Sequence, residues 1–413
     1  MHGGTADTSQ GHTAGGAASN ALPMSRSLVL LFAVACGLSV ANVYYAQPLL
    51  DLLARDFDVS RASIGMVITA TQAGCALALV LLVPLGDRTN RHRLMAAQLG
   101  LLVLALIAVA CATSAPMLLA GMLATGMLGT AMTQGLIAYA ATVAAPGERG
   151  RVVGAAQGGV VVGLLLARTM AGFVADLAGW RAVYLTSAAL ALLMLPVLWR
   201  TLPAQSAPVV RIGYLRLLGS MLSLLAHERT LQIRGTIGML MFAAFSVFWS
   251  AMALPLSAPP FALPHTAIGA FGLAGAAGAL AAARAGHWAD RGRGQWTTGI
   301  AWLVLLLSWL PAAYLSSSLA LLVVGVLLLD LGGQAIHVTN QSMIFRAQPD
   351  AHSRLVGCYM LFYAAGTGAG ALASTHMYAW AGWTGVCMLG AAITLTGLTF
   401  WAVTLRAMPR AAA

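Results

Sequence analysis

Asp87-Arg88 and Asp290-Arg291 each close an apolar stretch and open a basic turn, and the two pairs stand 203 residues apart. The same offset pairs Pro146 with Pro349, Arg151 with Arg354, Gly154 with Gly357, Gly163 with Gly366 and Gly179-Trp180 with Gly382-Trp383. A chain that repeats itself at this period is a duplicated bundle, and it must fold as two related halves. Each repeat is long enough for several hydrophobic spans. Parallel repeats of that size are the pattern of membrane proteins that bind a solute between their halves.

The composition requires a bilayer. A chain that is 60% hydrophobic and 8% charged cannot cover a globular surface, which needs about a quarter charged residues. Apolar runs of about 20 residues, enough to cross the hydrocarbon layer, recur at 27–52, 62–85, 94–113, 116–144, 151–176, 181–199, 235–256, 266–285, 297–315, 318–345, 355–378 and 383–405. The expected fold is an all-α integral membrane protein with twelve transmembrane helices in two six-helix pseudo-symmetric halves. Residues 1–26 read as a disordered cytoplasmic tail, 27–199 as the N-terminal bundle, 200–234 as a cytoplasmic linker, 235–405 as the C-terminal bundle and 406–413 as a second cytoplasmic tail.

The net charge of +11 comes from 22 arginines and no lysine. With the N-terminus inside, 18 arginines fall on the cytoplasmic side, Arg55, Arg61 and Arg181 outside, and Arg168 within a span. That skew is the positive-inside rule. It accounts for the basic balance without nucleic acid, since the charges sit in short loops rather than along one polar face. The linker breaks at Pro203 and Pro208, and residues 211–218 alternate basic and apolar side chains, which suits either a helix lying on the inner membrane surface or a plain connection. Cys36, Cys75, Cys111, Cys358 and Cys387 all fall in predicted spans without disulfide or metal spacing, and read as small packing residues. His2 and His12 are unclustered in the tail, so no metal or cofactor is expected.

Asp87 and Asp290 end spans two and eight, where an acid opposes the negative end of its own helix dipole. Each needs a partner from outside its helix, a neighbouring helix N-terminus or an arginine among Arg88, Arg91, Arg291 and Arg293. Such a contact can lock one conformation and break in another. The stretch Gly86-Asp87-Arg88-Thr89-Asn90-Arg91-His92-Arg93 resembles the loop signature of the major facilitator superfamily between spans two and three. Gly286-His287-Trp288-Ala289-Asp290-Arg291 resembles its second-half echo. The pattern departs at Val83 and Asn90, where the family carries glycine.

Two further segments, Asn42-Val43-Tyr44-Tyr45-Ala46-Gln47-Pro48-Leu49-Leu50 and Gly163-Leu164-Leu165-Leu166-Ala167-Arg168, are similar to those of bacterial proton-coupled drug and metabolite exporters. Arg168 stands where many such exporters carry the proline of a glycine-proline motif. The resemblance implies alternating access in a bacterial inner membrane, with a small organic molecule exported against protons by a chain able to act as a monomer. Uptake or uniport in the same fold is the alternative, and a non-transporting receptor a third reading. An enzyme is not expected: no serine-histidine pair with a supporting motif, HExxH segment or cluster of carboxylates is present.

Arg168 is costly, because a charge at the centre of a span is disfavoured by about 2.5–3.5 kcal/mol. Its repeat partner is Ala371, so the scaffold does not require it; the residue contacts substrate or gate, or forms a structural ion pair. In span ten, Asp330, Gln334, His337 and Gln341 fall within an arc of about 60° on one helical face. Asn340 flanks this stripe, and the repeat counterparts Met127, Ala131, Gln134 and Ala138 are mostly apolar. Polar residues on one stripe line a wet cavity or an interhelical network. A carboxylic acid in such a place can load and release a proton, which makes Asp330 the first candidate for proton coupling and His337 a relay; a static hydrogen-bonded network is the bland reading. In span one, Asn42, Tyr44, Tyr45 and Gln47 precede Pro48, which should kink the helix; the cluster suits a substrate wall, and buried tyrosines paired with local backbone are the alternative. Gln72, Tyr359 and Tyr363 are further candidates for it.

Overall fold

Span one is not a continuous rod. Helix α1 (Arg26–Ala41) starts where the Ser25 hydroxyl accepts the Leu28 amide. It stops at Asn42, whose side-chain amide donates back to the carbonyls of Leu38 and Ser39. Turns follow at 42–46, then a 3-10 turn (Gln47–Leu49) with Pro48 at its start, then α2 (Leu50–Asp56). The break is therefore wider than a proline kink, and it begins six residues before the proline.

This computed structural model describes residues 24–87, 89–144, 148–202, 213–347 and 352–407, and among these the side chains of all but 87, 217, 276–287, 289–290, 345–347, 352–353 and 407. After span one come α3 (Met66–Leu77), α4 (Arg91–Ala110), α5 (Ala115–Val143), α6 (Arg149–Ala178) and α7 (Trp180–Thr201). The linker carries α8 (Tyr214–His227). The second half follows with α9 (Arg229–Ala251), the short α10 (Ala253–Leu256), α11 (His265–Trp288), α12 (Gly294–Ala313), α13 (Leu319–Ala347) and α14 (His352–Thr404). Helix α14 contains two spans, because Gly382 (φ 62°, ψ −159°) turns the chain sharply inside it. With that turn the architecture is twelve spans in two halves, and no strand occurs among the described residues.

The duplication extends to backbone conformation. Gly179, which separates α6 from α7, has φ 81° and ψ 166°, so it shares with its repeat partner Gly382 a region that only glycine enters without strain. In span two, α3 passes into a wide π-type turn (Ala78–Leu82) and a 3-10 turn (Val83–Asp87). Pro84 has no N–H to continue the α-helical ladder.

Each half buries its own apolar core. Large apolar side chains such as Leu104, Leu193, Leu310 and Met388 remain mostly exposed on the outer flanks, where hydrocarbon rather than water is their solvent. Helix α8 joins the two halves: Tyr214 Oη donates to the Leu81 carbonyl at the end of span two, while Met221 is buried with Cys358 and Tyr359. Leu215 and Leu222 stay exposed on its other face.

The halves meet along two helix pairs, α6 with α11 and α3 with α14. Thr169 Oγ1 donates to the Gly269 carbonyl (3.1 Å), Thr69 Oγ1 to Gly368 (2.8 Å) and Thr375 Oγ1 to Ala62 (2.8 Å). The α6–α11 approach depends on missing side chains. A Cβ at Gly172 would strike the His265 carbonyl, and one at Gly269 the Arg168 carbonyl. All these contacts lie toward the arginine-poor face, so the bundle is closed there.

Candidate functional site

Helix α6 carries Arg168 to the boundary between the halves, where it is 3% exposed. The break in span one presents Gln47 to it, and Arg168 Nε donates to Gln47 Oε1 at 2.6 Å. The guanidinium carbon lies 4.1 Å from the ring centre of Trp249 on α9 and 5.4 Å from that of Tyr44, a cation–π arrangement that spreads the charge over two aromatic faces. The Tyr44 and Tyr363 hydroxyls share a hydrogen bond. Tyr363 packs edge-on against Phe242, Phe242 against His337, and His337 Nδ1 lies 3.1 Å from Tyr359 Oη. An aromatic and polar chain thus runs from Arg168 in the first half to Tyr359 in the second.

Asp330 on α13 is the opposite charge, 5% exposed. Both charged side chains rest on glycines of α11, Asp330 against Gly275 and Arg168 against Gly272, positions about 4.5 Å apart along a helix axis. The two groups form no ion pair: Arg168 Nη2 and Asp330 Oδ2 both lack hydrogen-bond partners. A buried charge without a full complement of partners is expensive. A proton on the carboxyl or a ligand atom at the guanidinium is what would complete either group.

The candidate residues separate into groups. Gln47, Tyr44, Tyr363 and Arg168 come together, whereas Asn42 and Tyr45 turn into the first half: Asn42 Oδ1 accepts from Ser187 Oγ at 2.8 Å, and Tyr45 packs edge-on against Tyr184. Periodicity cannot describe side chains where the helix has stopped, which is why neighbours in span one diverge. Gln334 and Gln341 are half-buried on the Asp330 stripe. His337 is about 10 Å further along α13 than Asp330, and its partners are Tyr359 and Phe242 rather than that acid. Gln72 is buried with its Oε1 unpaired.

Of the candidate gating residues, the side chains of Asp87, Arg88 and Asp290 lie outside the described residues. Arg91 donates to the Gly86 and Ala138 carbonyls and to Thr142 Oγ1, a set of partners on its own half. Arg291 is exposed at a non-helical kink with φ −86° and ψ 19°.

Arg234 escaped the sequence reading, which left it in the linker. Helix α9 begins at Arg229 behind the cap of Glu228, whose side chain accepts the Thr230 amide, so Arg234 lies inside the second half and is fully buried. An acid ahead of an apolar run was the available signal. Arg234 Nη1 donates to Thr298 (2.9 Å) and Asn340 (3.4 Å), while Nε and Nη2 have no partner. No carboxylate among the described residues pairs with it. Arg234→Met should therefore leave the thermal unfolding midpoint of the purified protein unchanged or raise it, since it removes a buried charge whose desolvation no carboxylate offsets. A lower midpoint would show that the two hydrogen bonds outweigh desolvation.

The comparisons with known proteins agree with the fold. A family model described as Major Facilitator Superfamily matches residues 29–264. The uncharacterized transporter YgaY of Escherichia coli O157:H7 is 44% identical over 378 residues, covering 92% of this chain and 95% of that protein. In fold, the chain is similar to a bacterial homologue of the human lysosomal transporter Spinster in an inward-facing, occupied conformation (TM-score 0.77, 13% identity, 92% of this chain and 97% of that one). It is also similar to the nucleoside transporter NupG (TM-score 0.74, 15% identity, 93% and 100%). Matched in sequence over more than half its length and in fold over nearly all of it, the chain belongs to the Major Facilitator Superfamily, as an alternating-access membrane transporter and not an enzyme.

Proposed function

We propose that the protein exports a small organic molecule across a bacterial inner membrane in exchange for protons, with Asp330 as the proton carrier and Arg168 as the principal substrate contact. The observation that supports this most is the unfinished charge pair. Arg168 comes from one half and Asp330 from the other, and each keeps one polar atom without a partner. A proton on Asp330 removes its charge and leaves Arg168 free for an acceptor on the substrate; loss of the proton restores the attraction and competes with that acceptor. Two ligands that bind alternately at one boundary are what exchange requires. Tyr44, Tyr363, Phe242 and Trp249 around the guanidinium suit a substrate with an apolar or aromatic body carrying an acidic or carbonyl group.

The test expresses the protein in efflux-deficient bacteria and challenges them with a panel of toxic compounds and metabolites, with protein levels matched between variants. Protection by the parent that disappears in Asp330→Asn supports export. Sensitisation by the parent would replace export by uptake, and protection retained by the variant would remove Asp330 as the carrier. For the substrate found, Arg168→Leu should raise the half-saturating concentration by about tenfold to a hundredfold, the worth of one charge-assisted hydrogen bond. Arg168→Lys should recover part of this loss, because lysine keeps the charge but lacks the planar fork. An unchanged half-saturating concentration in Arg168→Leu would assign Arg168 to packing.

A further inference from the structure

At the arginine-poor face a single imidazole joins the halves. His265, the first residue of α11, lies between two carboxylates of the first half: its Nε2 is 3.0 Å from Asp51 Oδ1 and its Nδ1 is 3.0 Å from Asp176 Oδ1. Asp176 also accepts the backbone amides of His265 (3.0 Å) and Thr266 (2.8 Å) and the Thr266 hydroxyl (2.7 Å). An acid from the last turn of α6 thereby caps the N-terminus of a helix in the other half, where the helix dipole favours negative charge. The His265 side chain is 15% exposed, the Asp51 side chain 7%. The two ring nitrogens point to different carboxylates, so this arrangement does not gather the three side chains around one metal ion.

We propose that His265 is a proton-operated latch that holds the arginine-poor mouth closed, independent of Asp330 and of the substrate. The chemistry of imidazole carries the argument. Both ring nitrogens face carboxylate oxygens, which only accept, so both must donate for the bridge to be complete, and only the protonated ring has two N–H groups. A neutral ring leaves one bare nitrogen lone pair against a carboxylate, and the bridge keeps one of its two side-chain bonds. Among the described residues, the charged groups that face His265 are Asp51 and, beyond it, Arg55 on α2 (3.2 Å from Asp51), and Asp176 on α6. Helix α10 brings none. Further along α2, Asp56 accepts from Arg181 and Trp180 within the first half. The Arg181 bond holds the Asp56 carboxyl below its usual range, so that acid stays charged and engaged through the range in which histidine titrates.

The sign follows. The closed mouth, which offers two carboxylates, binds the proton more tightly than the open one, so acid favours closure and the preference is lost as pH rises through the histidine range. If the mouth faces outward, as the arginine bias indicates, an external proton would close it behind a released substrate and return the transporter toward the inside. The latch would then be a second proton station in the cycle.

Repeat-related loop positions Thr113 and Ser316 are both exposed on that face and report its opening. Thr113→Cys and Ser316→Cys are introduced with Cys111→Ser, since Cys111 is exposed while the other four cysteines are buried. The protein is spin-labelled in lipid nanodiscs and the interlabel distance is measured by pulsed electron resonance from pH 5 to 8. The series is repeated with Asp330→Asn to remove that acid's contribution. The closed-to-open ratio should rise as pH falls, by up to about tenfold per pH unit, the limit for one proton. His265→Gln should abolish that dependence, and Asp51→Asn, which leaves the imidazole one carboxylate, should move its midpoint to lower pH. A parent protein whose distance ignores pH, or a His265→Gln protein that follows pH as the parent does, would overturn the latch. A His265→Gln protein too poorly folded to measure leaves the Asp51→Asn midpoint as the deciding result.

Discussion

Asp330→Asn should abolish uphill, proton-driven transport in proteoliposomes while leaving exchange of substrate at equal concentrations close to the parent rate. Asparagine keeps the shape of the carboxyl and mimics its protonated form, so on the proposed assignment the site can still complete itself around a substrate at Arg168. It cannot release a proton, so a pH gradient still acts on the His265 latch but has no carrier through which to drive the substrate uphill. The expected reading is net accumulation against the gradient at the level of empty vesicles, beside exchange within about twofold of the parent. Accumulation that persists in the variant would move coupling to another group, and loss of exchange as well would make Asp330 a substrate contact rather than the carrier.

Gly172→Val is the second large effect. A Cβ at this position meets the backbone of His265 and Thr266, and a backbone cannot swing aside as the end of a long side chain can. In a packed core such excess volume costs about 1–3 kcal/mol; here the halves can escape it by separating, so the cost falls on the closed conformation alone. Transport should fall tenfold or more, with the Thr113–Ser316 distance of the labelled protein fixed at the open value at every pH. Gly158→Val is the control, because a Cβ there meets nothing within 4 Å, and it should transport normally. A Gly172→Val protein that transports at the parent rate would show that the α6–α11 contact is not obligatory in the cycle.

Several elements were legible before any coordinate was known, for reasons particular to each. The paired Gly179 and Gly382 announced two turns of the same kind, because a repeat that preserves glycine preserves the backbone only glycine adopts. Arg168 and Asp330 stood out because a charge inside an apolar run is rare and costly, and the stripe from Asp330 to Gln341 because a helix has a fixed period. The fate of Asn42 and Tyr45 was not legible, since the helix that would set their direction ends at Ala41. Arg234 was misplaced by a span boundary set a few residues late. His265, Asp51 and Asp176 drew no notice because each sits at a span end, where a charge is ordinary. Asp176 nonetheless opposed its own helix dipole just as Asp87 does, and the search for an outside partner applied to Asp87 would have singled it out.

What the chain determined by itself was its count and its repeat: twelve apolar spans, two related halves, and two charges where the bilayer tolerates few. These follow from transfer of residues between water and hydrocarbon and from the period of a helix, both of which act on neighbours in sequence. Which groups meet was left to the tertiary structure. Arg168 reaches Gln47 and Trp249 only because a broken span one and α9 meet α6, Asp330 comes to the same boundary because α11 packs against both α6 and α13, and His265 finds Asp51 and Asp176 only when the halves close. Such pairings join residues some 80 to 210 positions apart, and their energies depend on burial and distance that docking of the two halves creates.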